Sequence, residues 1–524
     1  MKIMKVHLLD CTLRDGGYIN DWNFGESTIT GTIRELEQTG IEMIEVGFIK
    51  GESYDKNRTL FPDTESFKHV ITNKKDGVTY VGMVDMSNPV SADAIRENDG
   101  KTIDGVRVIF KKDKLKEGIE FCKTVAEKGY LSFANFVSTD AYTDKEFIEA
   151  IERVNEIHPT GVTIVDTFGV IKRKQLRRLL ALADNNLDDG IMLCYHGHNN
   201  LQQALSNAET MVEMNLNRDI VIDACVFGMG RGAGNLNLEL FAEYLNENNG
   251  THYRIEPMLE IMDQYLGEFY KTRFWGYSLP LYLTASLGYH PNYGIYLAEK
   301  NTLPVKAFEE LLKTIPEKDK YVFDKNVAEQ CYRKYFSNYV DDSAAITELS
   351  EAFAGKNVLL VAPGKSIMTH REQVLAERAS ENTLVLSVNF YDEEFSPDFV
   401  FMSNMKRSKS IAGGTPAKLI TTSNIADELS GDYLINFASY TGTDGEIYDN
   451  AGLMALRFLI RLGVKRVRIA GMDGYKNKFG DNFFTAGFEP NHLSVAENRN
   501  AMIKESLEKL KADIEMNFVT PTLY

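Results

Sequence analysis

The sequence predicts an α/β protein in two parts: a (β/α)8 TIM barrel followed by a smaller Rossmann-like α/β domain. Three observations lead there. The chain has 524 residues, too many for one ordinary core. Over residues 1–250, eight strand-like runs alternate with helix-like segments, the pattern of a parallel sheet, and eight units in that length suggest a closed barrel. The alternation then restarts at about residue 357. The rival for the first part is a doubly wound open sheet, because periodicity alone does not show closure.

The expected barrel strands are KVHLLDCT (5–12), MIEVGF (43–48), VTYVGMVD (78–85), GVRVIF (105–110), YLSFANFV (130–137), GVTIVDTF (161–168), IMLCYHGH (191–198) and DIVIDACVFG (219–228). Each is rich in β-branched and aromatic residues. Helices are expected near 25–40, 113–129, 144–159 and 201–215. Residues 251–340 carry aromatics and helix formers and read as a helical extension of the barrel, and residues 341–356 read as a linker. The second domain, 357–524, has expected strands at 358–366, 383–389, 398–404, 418–424, 433–439 and 465–474. Its helices are expected near 366–380, 450–462 and 493–513.

Hydrophobic residues make up 44% of the chain and charged residues 25%, as in a soluble globular protein. The formal net charge of -17 argues against nonspecific nucleic-acid binding, which needs a basic footprint. It leaves room for a small anion in a local basic pocket. No apolar run reaches the roughly 18 residues of a membrane span. The N-terminal MKIMKVHLLD meets an aspartate too early for a signal peptide, so the cytoplasm is the expected compartment. The five cysteines form no CxxC pair and are expected as buried, reduced thiols.

Parallel barrels place their active sites where strands end, so the strand ends carry the functional reading. The first strand ends in Asp10, then Arg14 and Asp15. The second carries Glu45, the third Asp85 and the sixth Asp166 and Thr167. The seventh carries His196 and His198, and the eighth leads to Gly228, Arg231 and Asn235. His196 and His198 stand two apart on a strand and so face the same side. With a carboxylate from another strand, Asp15 being the best candidate, they would form a three-ligand site. Such a site suits Mn²⁺, Co²⁺, Fe²⁺, Mg²⁺ or Zn²⁺. The competing account is a pair of satisfied histidines capping a loop. Beside such a metal, Arg14 would stabilise an enolate or a substrate carboxylate. Gly16 and Gly17 are expected to let the backbone approach a ligand closely. GMGRGAGN (228–235) is a glycine-rich loop, an anion site in principle, without GxGxxG phasing.

Together, TLRDGG, IEVGF, DTFGV, HGHNN and GMGRGAGN resemble the DRE-TIM metallolyases (HMGL-like) over about residues 5–250. That group includes 4-hydroxy-2-oxovalerate aldolase, 3-hydroxy-3-methylglutaryl-CoA lyase and the isopropylmalate and homocitrate synthases. The aldolase branch is the most similar. The resemblance implies a divalent metal, usually Mn²⁺ or Mg²⁺, bound by Asp15, His196 and His198, with Asn235 as a further ligand. It implies Arg14 as the stabiliser of a pyruvate-type enolate and a carbon–carbon cleavage or formation beside a 2-oxo acid, with an aldehyde as partner. One departure stands out. The aldolases carry a histidine base where this chain has Tyr18, and a phenol of ordinary pKa, about 10, is a poor base near neutrality. His290, in SLGYHPNYG, would fill that role if its segment folds over the mouth. The candidate catalytic set is therefore Arg14, Tyr18, Glu45 and His290, with Asp166, Thr167 and Arg231 binding substrate. No separate dehydrogenase signature is present.

In the second domain VAPGKS is not a P-loop, because Leu359 stands where GxxxxGK[ST] needs glycine. Gly364, Asn389 and Asp473 at strand ends are the ligand candidates, for a phosphate or a sugar nucleotide. VAPGKS, SVNFY and GMDGY faintly resemble bacterial sialyltransferase-like domains, which would imply a role in surface-sugar biosynthesis. Two other readings compete with the 2-oxo acid aldolase. One is a glycan transferase with a scaffold barrel, and the other an acyl-CoA-dependent condensing enzyme. A homo-oligomer is expected.

Overall fold

In the first of two units, Met1–Pro291, eight parallel strands close on themselves. The computed structural model describes residues 4–443, 446–478, 480–489 and 496–524. The barrel strands are β1 (Val6–Asp10), β2 (Met43–Ile49), β3 (Thr79–Asp85), β4 (Gly105–Phe110), β5 (Leu131–Phe136), β6 (Gly161–Asp166), β7 (Met192–Gly197) and β8 (Ile220–Ala224). β1 pairs with β8 on one side and β2 on the other, which closes the barrel and removes the open-sheet alternative.

Side-chain alternation builds the interior in two layers. Leu9, Met43, Val81, Phe133, Cys194 and Val221 pack as an apolar floor. Two residues further along, four of these strands carry Glu45, Asn135, His196 and Asp223, and β4 adds Arg107, all buried. The floor excludes water, and the layer above it carries charge. Burying Phe133 alone contributes about 1.5–3 kcal/mol. Outside the barrel, Leu8, Ile44, Val106, Ile164, Leu193 and Ile222 meet the helices in one continuous core. A bulge in β2 between Glu45 and Gly47 keeps Glu45 inward. Gly47 is required there, since a Cβ would lie 2.2 Å from the Thr59 carbonyl oxygen.

The outer helices are α1 (Glu26–Leu36), α2 (Leu115–Glu127), α3 (Asp144–Asn155), α4 (Arg173–Asn186), α5 (Ala204–Glu213) and α6 (Leu238–Asn248). α3 shows why such segments fold locally. Thr143 and Glu146 form a reciprocal capping box, and Phe147, Ala150, Ile151 and Val154 make one buried stripe. After β2 and β3 only short 3-10 turns, Glu65–His69 and Ala92–Ala94, stand in for helices.

The second unit, Asn292–Tyr524, holds seven parallel strands. They are β9 (Asn357–Val361), β10 (Thr383–Val388), β11 (Phe399–Met402), β12 (Lys418–Thr422), β13 (Tyr433–Ile435), β14 (Arg466–Ala470) and β15 (Glu515–Phe518). Their order is β13-β12-β11-β10-β9-β14-β15, so the winding reverses between β9 and β14. β15 has no counterpart among the expected strands.

The domain boundaries differ from the sequence reading. Residues 251–291 stay with the barrel, whereas 292–340 fold with the second unit. Residues 341–356 are not a plain linker but carry the helix Ser343–Phe353, whose Leu349 and Phe353 are buried. The physical reason is Asp342, which is buried, pairs with Arg461 at 2.7 Å and accepts from the Asn436 N–H at 2.9 Å. The expected helix near 493–513 is Ala496–Leu510, and residues 493–495 lie outside the described residues. Among the described residues no helix is long and apolar enough to cross a membrane.

Candidate metal centre

Three strands deliver the site. After β1 the chain turns tightly, with the Arg14 and Asp15 N–H groups both donating to the Cys11 carbonyl, and this brings the two side chains over the barrel axis. β7 turns His196 and His198 inward, with ring centroids 5.1 Å apart and planes at 82°. The loop after β8 brings Asn235 beside His198 through an isolated bridge. Asp15, His196 and His198 are all buried, and their donor atoms lie within 4.8 Å of one another.

The separations suit an ion rather than direct hydrogen bonds. Asp15 stands 3.9 Å from the Nε2 of both His196 and His198. Two donors each about 2.1 Å from a common cation would stand about that far apart or less. His196 Nδ1 donates to Asp223 Oδ2 at 3.0 Å, which leaves the Nε2 lone pair on the side of Asp15. Burial pushes His198 down to about 4, keeping its imidazole neutral. Burial alone would raise Asp15, but the Arg14 guanidinium beside it holds it well below the usual carboxylate range, with the Asn235 amide donating to it.

Beneath these ligands runs a closed charged ring. Arg14 Nε donates to Glu45 at 2.6 Å and its Nη1 to Asp15. Arg107 donates to Glu45 at 3.2 Å and to Asp223, and Asp223 holds His196. Three carboxylates thus face two guanidiniums, all buried, an excess of negative charge that a divalent cation would offset. At this site three buried polar atoms also lack partners among the described residues, Asn235 Oδ1, His198 Nδ1 and Asp223 Oδ1. Asn235 Nδ2 donates to Asp15 Oδ2 at 2.6 Å, and a Cβ at Gly230 would meet both side chains. The mixed N/O donor set, the charge excess and the orphaned Asn235 oxygen fit a divalent metal held by Asp15, His196 and His198, with Asn235 adjacent.

The rim is formed by Tyr18, Arg231 and His290. Arg231 lies over the Tyr18 ring at 5.7 Å and donates to His290 Nε2. Burial, with Arg231 and Lys111, pushes His290 down to about 3. Burial and the Asp15 carboxylate push the Tyr18 phenol up to about 12. The structure therefore brings His290 to the mouth, but as a neutral ring whose Nε2 is occupied. A base role for it is disfavoured in this state.

Other candidates turn out to hold the scaffold. Asp166 accepts from the Val170 and Ile171 N–H groups at 2.8 and 3.0 Å, and Thr167 accepts from the Ser138 N–H at 2.8 Å. Both tie loops through these bonds. Gly17 has a packing reason to be glycine. A Cβ on Gly17 would fall 2.0 Å from Trp22, whose Nε1 donates to the Arg14 carbonyl. In the second unit Gly364 and Asp473 are mutual neighbours, with a Cβ on Gly364 lying 2.6 Å from the Asp473 carboxyl carbon. Arg107 and Asp223 were not anticipated. Their signal was a charged residue inside the apolar runs GVRVIF and DIVIDACVFG.

Residues 5–263 match the HMGL-like family model. Oxaloacetate decarboxylase of Mycobacterium tuberculosis is 24% identical over 237 residues, 44% of this chain and 67% of the relative. A 4-hydroxy-2-oxovalerate aldolase of Pseudoalteromonas translucida is 26% identical over 285 residues, 50% of this chain and 79% of the relative. Among solved structures, the N-terminal domain of a candidate aldolase from Bacteroides vulgatus aligns with 23% identity. The alignment covers 60% of this chain and 98% of that one, with a TM-score of 0.46. The family match ends before the second unit begins.

Proposed function

We propose that this chain, a metal-dependent carbon–carbon lyase with an HMGL-like barrel, acts on a 2-oxo acid at the mouth formed by Asp15, His196 and His198. The single observation that carries the reading is that buried three-ligand cluster with Arg14 against it. A bound divalent ion, Mn²⁺ or Mg²⁺ by resemblance, would supply Lewis acidity at the 2-oxo group. The protein's own part is positional and electrostatic. Arg14 is fixed by Glu45 and Asp15 and keeps its Nη2 without a partner among the described residues, so it is oriented for the charge that develops on an enolate. Glu45, by this account, positions Arg14 and does not itself touch substrate. Arg231 offers the rim a second cation for a substrate carboxylate.

The rim favours one of two leaving groups. Retro-aldol cleavage releases an aldehyde only after the substrate hydroxyl gives up its proton to a base. A phenol such as Tyr18 ordinarily titrates at about 10, and His290 Nε2 is taken up by Arg231, so neither is placed as a base near neutrality. Loss of carbon dioxide from a 2-oxo acid with a second carboxylate needs no such base, and the neutral phenol of Tyr18 can donate to the enolate afterwards. The Mycobacterium relative is called oxaloacetate decarboxylase, which agrees with this second reading. The test is release of pyruvate from oxaloacetate and from 4-hydroxy-2-oxo acids by the full chain with Mn²⁺ or Mg²⁺. Faster turnover of oxaloacetate is expected. Faster turnover of the hydroxy acids would restore the aldolase reading, and no metal-dependent release from either would remove both.

A further inference from the structure

Where the second sheet reverses, between β9 and β14, a cleft lined by Gly364, Asn389, Arg407, Asn450, Asp473 and Arg499 opens at the carboxyl ends of the strands. Open α/β sheets bind ligands at such a reversal. Its walls carry two guanidiniums with no direct ion pair among the described residues. Arg407 is stacked on Phe483 at 4.7 Å and Phe488 at 4.3 Å and donates to the Phe488 carbonyl at 3.4 Å. No carboxylate pairs with it among the described residues, and burial pushes it down to about 10. Arg499 lies over the Tyr475 ring at 5.2 Å and donates to the Glu299 carbonyl, also without an ion pair among the described residues. A desolvated guanidinium of this kind is costly unless an anion joins it, and stacking on aromatic rings leaves its edge free to do so.

The cleft's acids keep their charge but are held by neutral donors away from the two guanidiniums, with no direct ion pair to either among the described residues. Asp473 accepts from the Ser366 N–H at 2.7 Å and from its hydroxyl, and Asp449 accepts from the Tyr332 hydroxyl. Two further donors face the cleft. Asn389 is only 1% exposed and adopts a left-handed backbone, φ 61°. Its Oδ1 accepts from the Ser403 and Asn404 N–H groups at 2.8 and 3.1 Å, so its Nδ2 is left unpartnered among the described residues. The helix Ala451–Arg461 begins at the cleft wall, capped by Asn450, with its positive end toward the space.

We propose that this cleft binds a nucleoside phosphate, with the phosphates on Arg407, Arg499 and the first turn of the helix Ala451–Arg461, and with Asn389 Nδ2 donating to the nucleoside. The site belongs to the second unit and does not depend on the barrel's activity. The experiment is calorimetric titration of the full chain with UDP, CDP, ADP, GDP and, separately, inorganic pyrophosphate. At least one nucleoside diphosphate should bind saturably, more tightly than pyrophosphate. Arg407→Gln and Asn389→Ala should each weaken it at least about tenfold, as expected for loss of a charge-assisted or buried hydrogen bond. Arg407→Lys, which keeps the charge and loses the planar fork, should fall between wild type and Arg407→Gln. Unchanged melting temperatures would show that the variants fold. No saturable binding at millimolar concentration would overturn the proposal. So would binding indifferent to Arg407 and Asn389 in folded variants, or pyrophosphate binding as tightly as every nucleotide.

Discussion

The barrel mouth and the second unit's cleft both lie at the carboxyl ends of parallel strands, yet their charge is arranged in opposite ways. At the mouth every guanidinium of the buried ring is matched, and one carboxylate is left over. At the cleft the carboxylates of Asp449 and Asp473 accept from hydroxyls and an N–H group, and the guanidiniums of Arg407 and Arg499 stack on aromatic rings with no direct ion pair among the described residues. A closed barrel and an open sheet thus share the location of their polar groups and differ in how those groups are paired. The proposed ligands follow from that pairing, a cation at the mouth and an anion at the cleft.

The comparison breaks most visibly at Arg107. Arg107→Met would leave Glu45 and Asp223 buried without their shared cation, so a loss of about 3–5 kcal/mol is expected, read as a lower denaturation midpoint. A variant as stable as wild type would mean that the ring is not a charge network. Asp223→Asn is the next in size. It replaces the charged acceptor that sets the His196 tautomer with a neutral amide, and metal affinity should fall about 10–100-fold while nucleotide affinity stays put. A change in both would contradict the independence of the two sites.

The smallest effect is at the rim. His290 is pushed down to about 3 in the folded chain from an ordinary 6.5, so between those values the unfolded chain binds more protons than the folded one. Stability should therefore fall as pH drops through 6.5 toward 3. His290→Gln should flatten that decline of the melting temperature. An unaltered acid limb would show that His290 titrates normally.

Much of this was legible in the chain, for physical reasons. The eight β runs are buried on both faces, so they read as near-continuous apolar stretches bounded by glycine and polar turns. His196 and His198 could be placed on one side because strand alternation is strict. Arg107 and Asp223 were hidden by the same logic, since a single charge inside an apolar strand looks like noise until its partner on another strand is known. β15 was missed because EMNF alternates exposed and half-buried positions at a sheet edge and carries little hydrophobic signal. The Ser343–Phe353 helix passed for a linker because its docking depends on Asp342 meeting Arg461, a contact 119 positions away in the chain. Asp166 and Thr167 show that a polar strand end at a barrel mouth also ties its loop, a bond that the sequence alone does not reveal.

The most direct test of the central claim is the stoichiometry of Mn²⁺ binding to the full chain, followed by electron paramagnetic resonance, for wild type and for His196→Ala/His198→Ala. The account predicts one tightly bound Mn²⁺ per wild-type chain, none in the double variant, and pyruvate release that follows the bound metal. Wild type without tight Mn²⁺, or a double variant that binds it equally well, would contradict the assignment of Asp15, His196 and His198 as a metal centre.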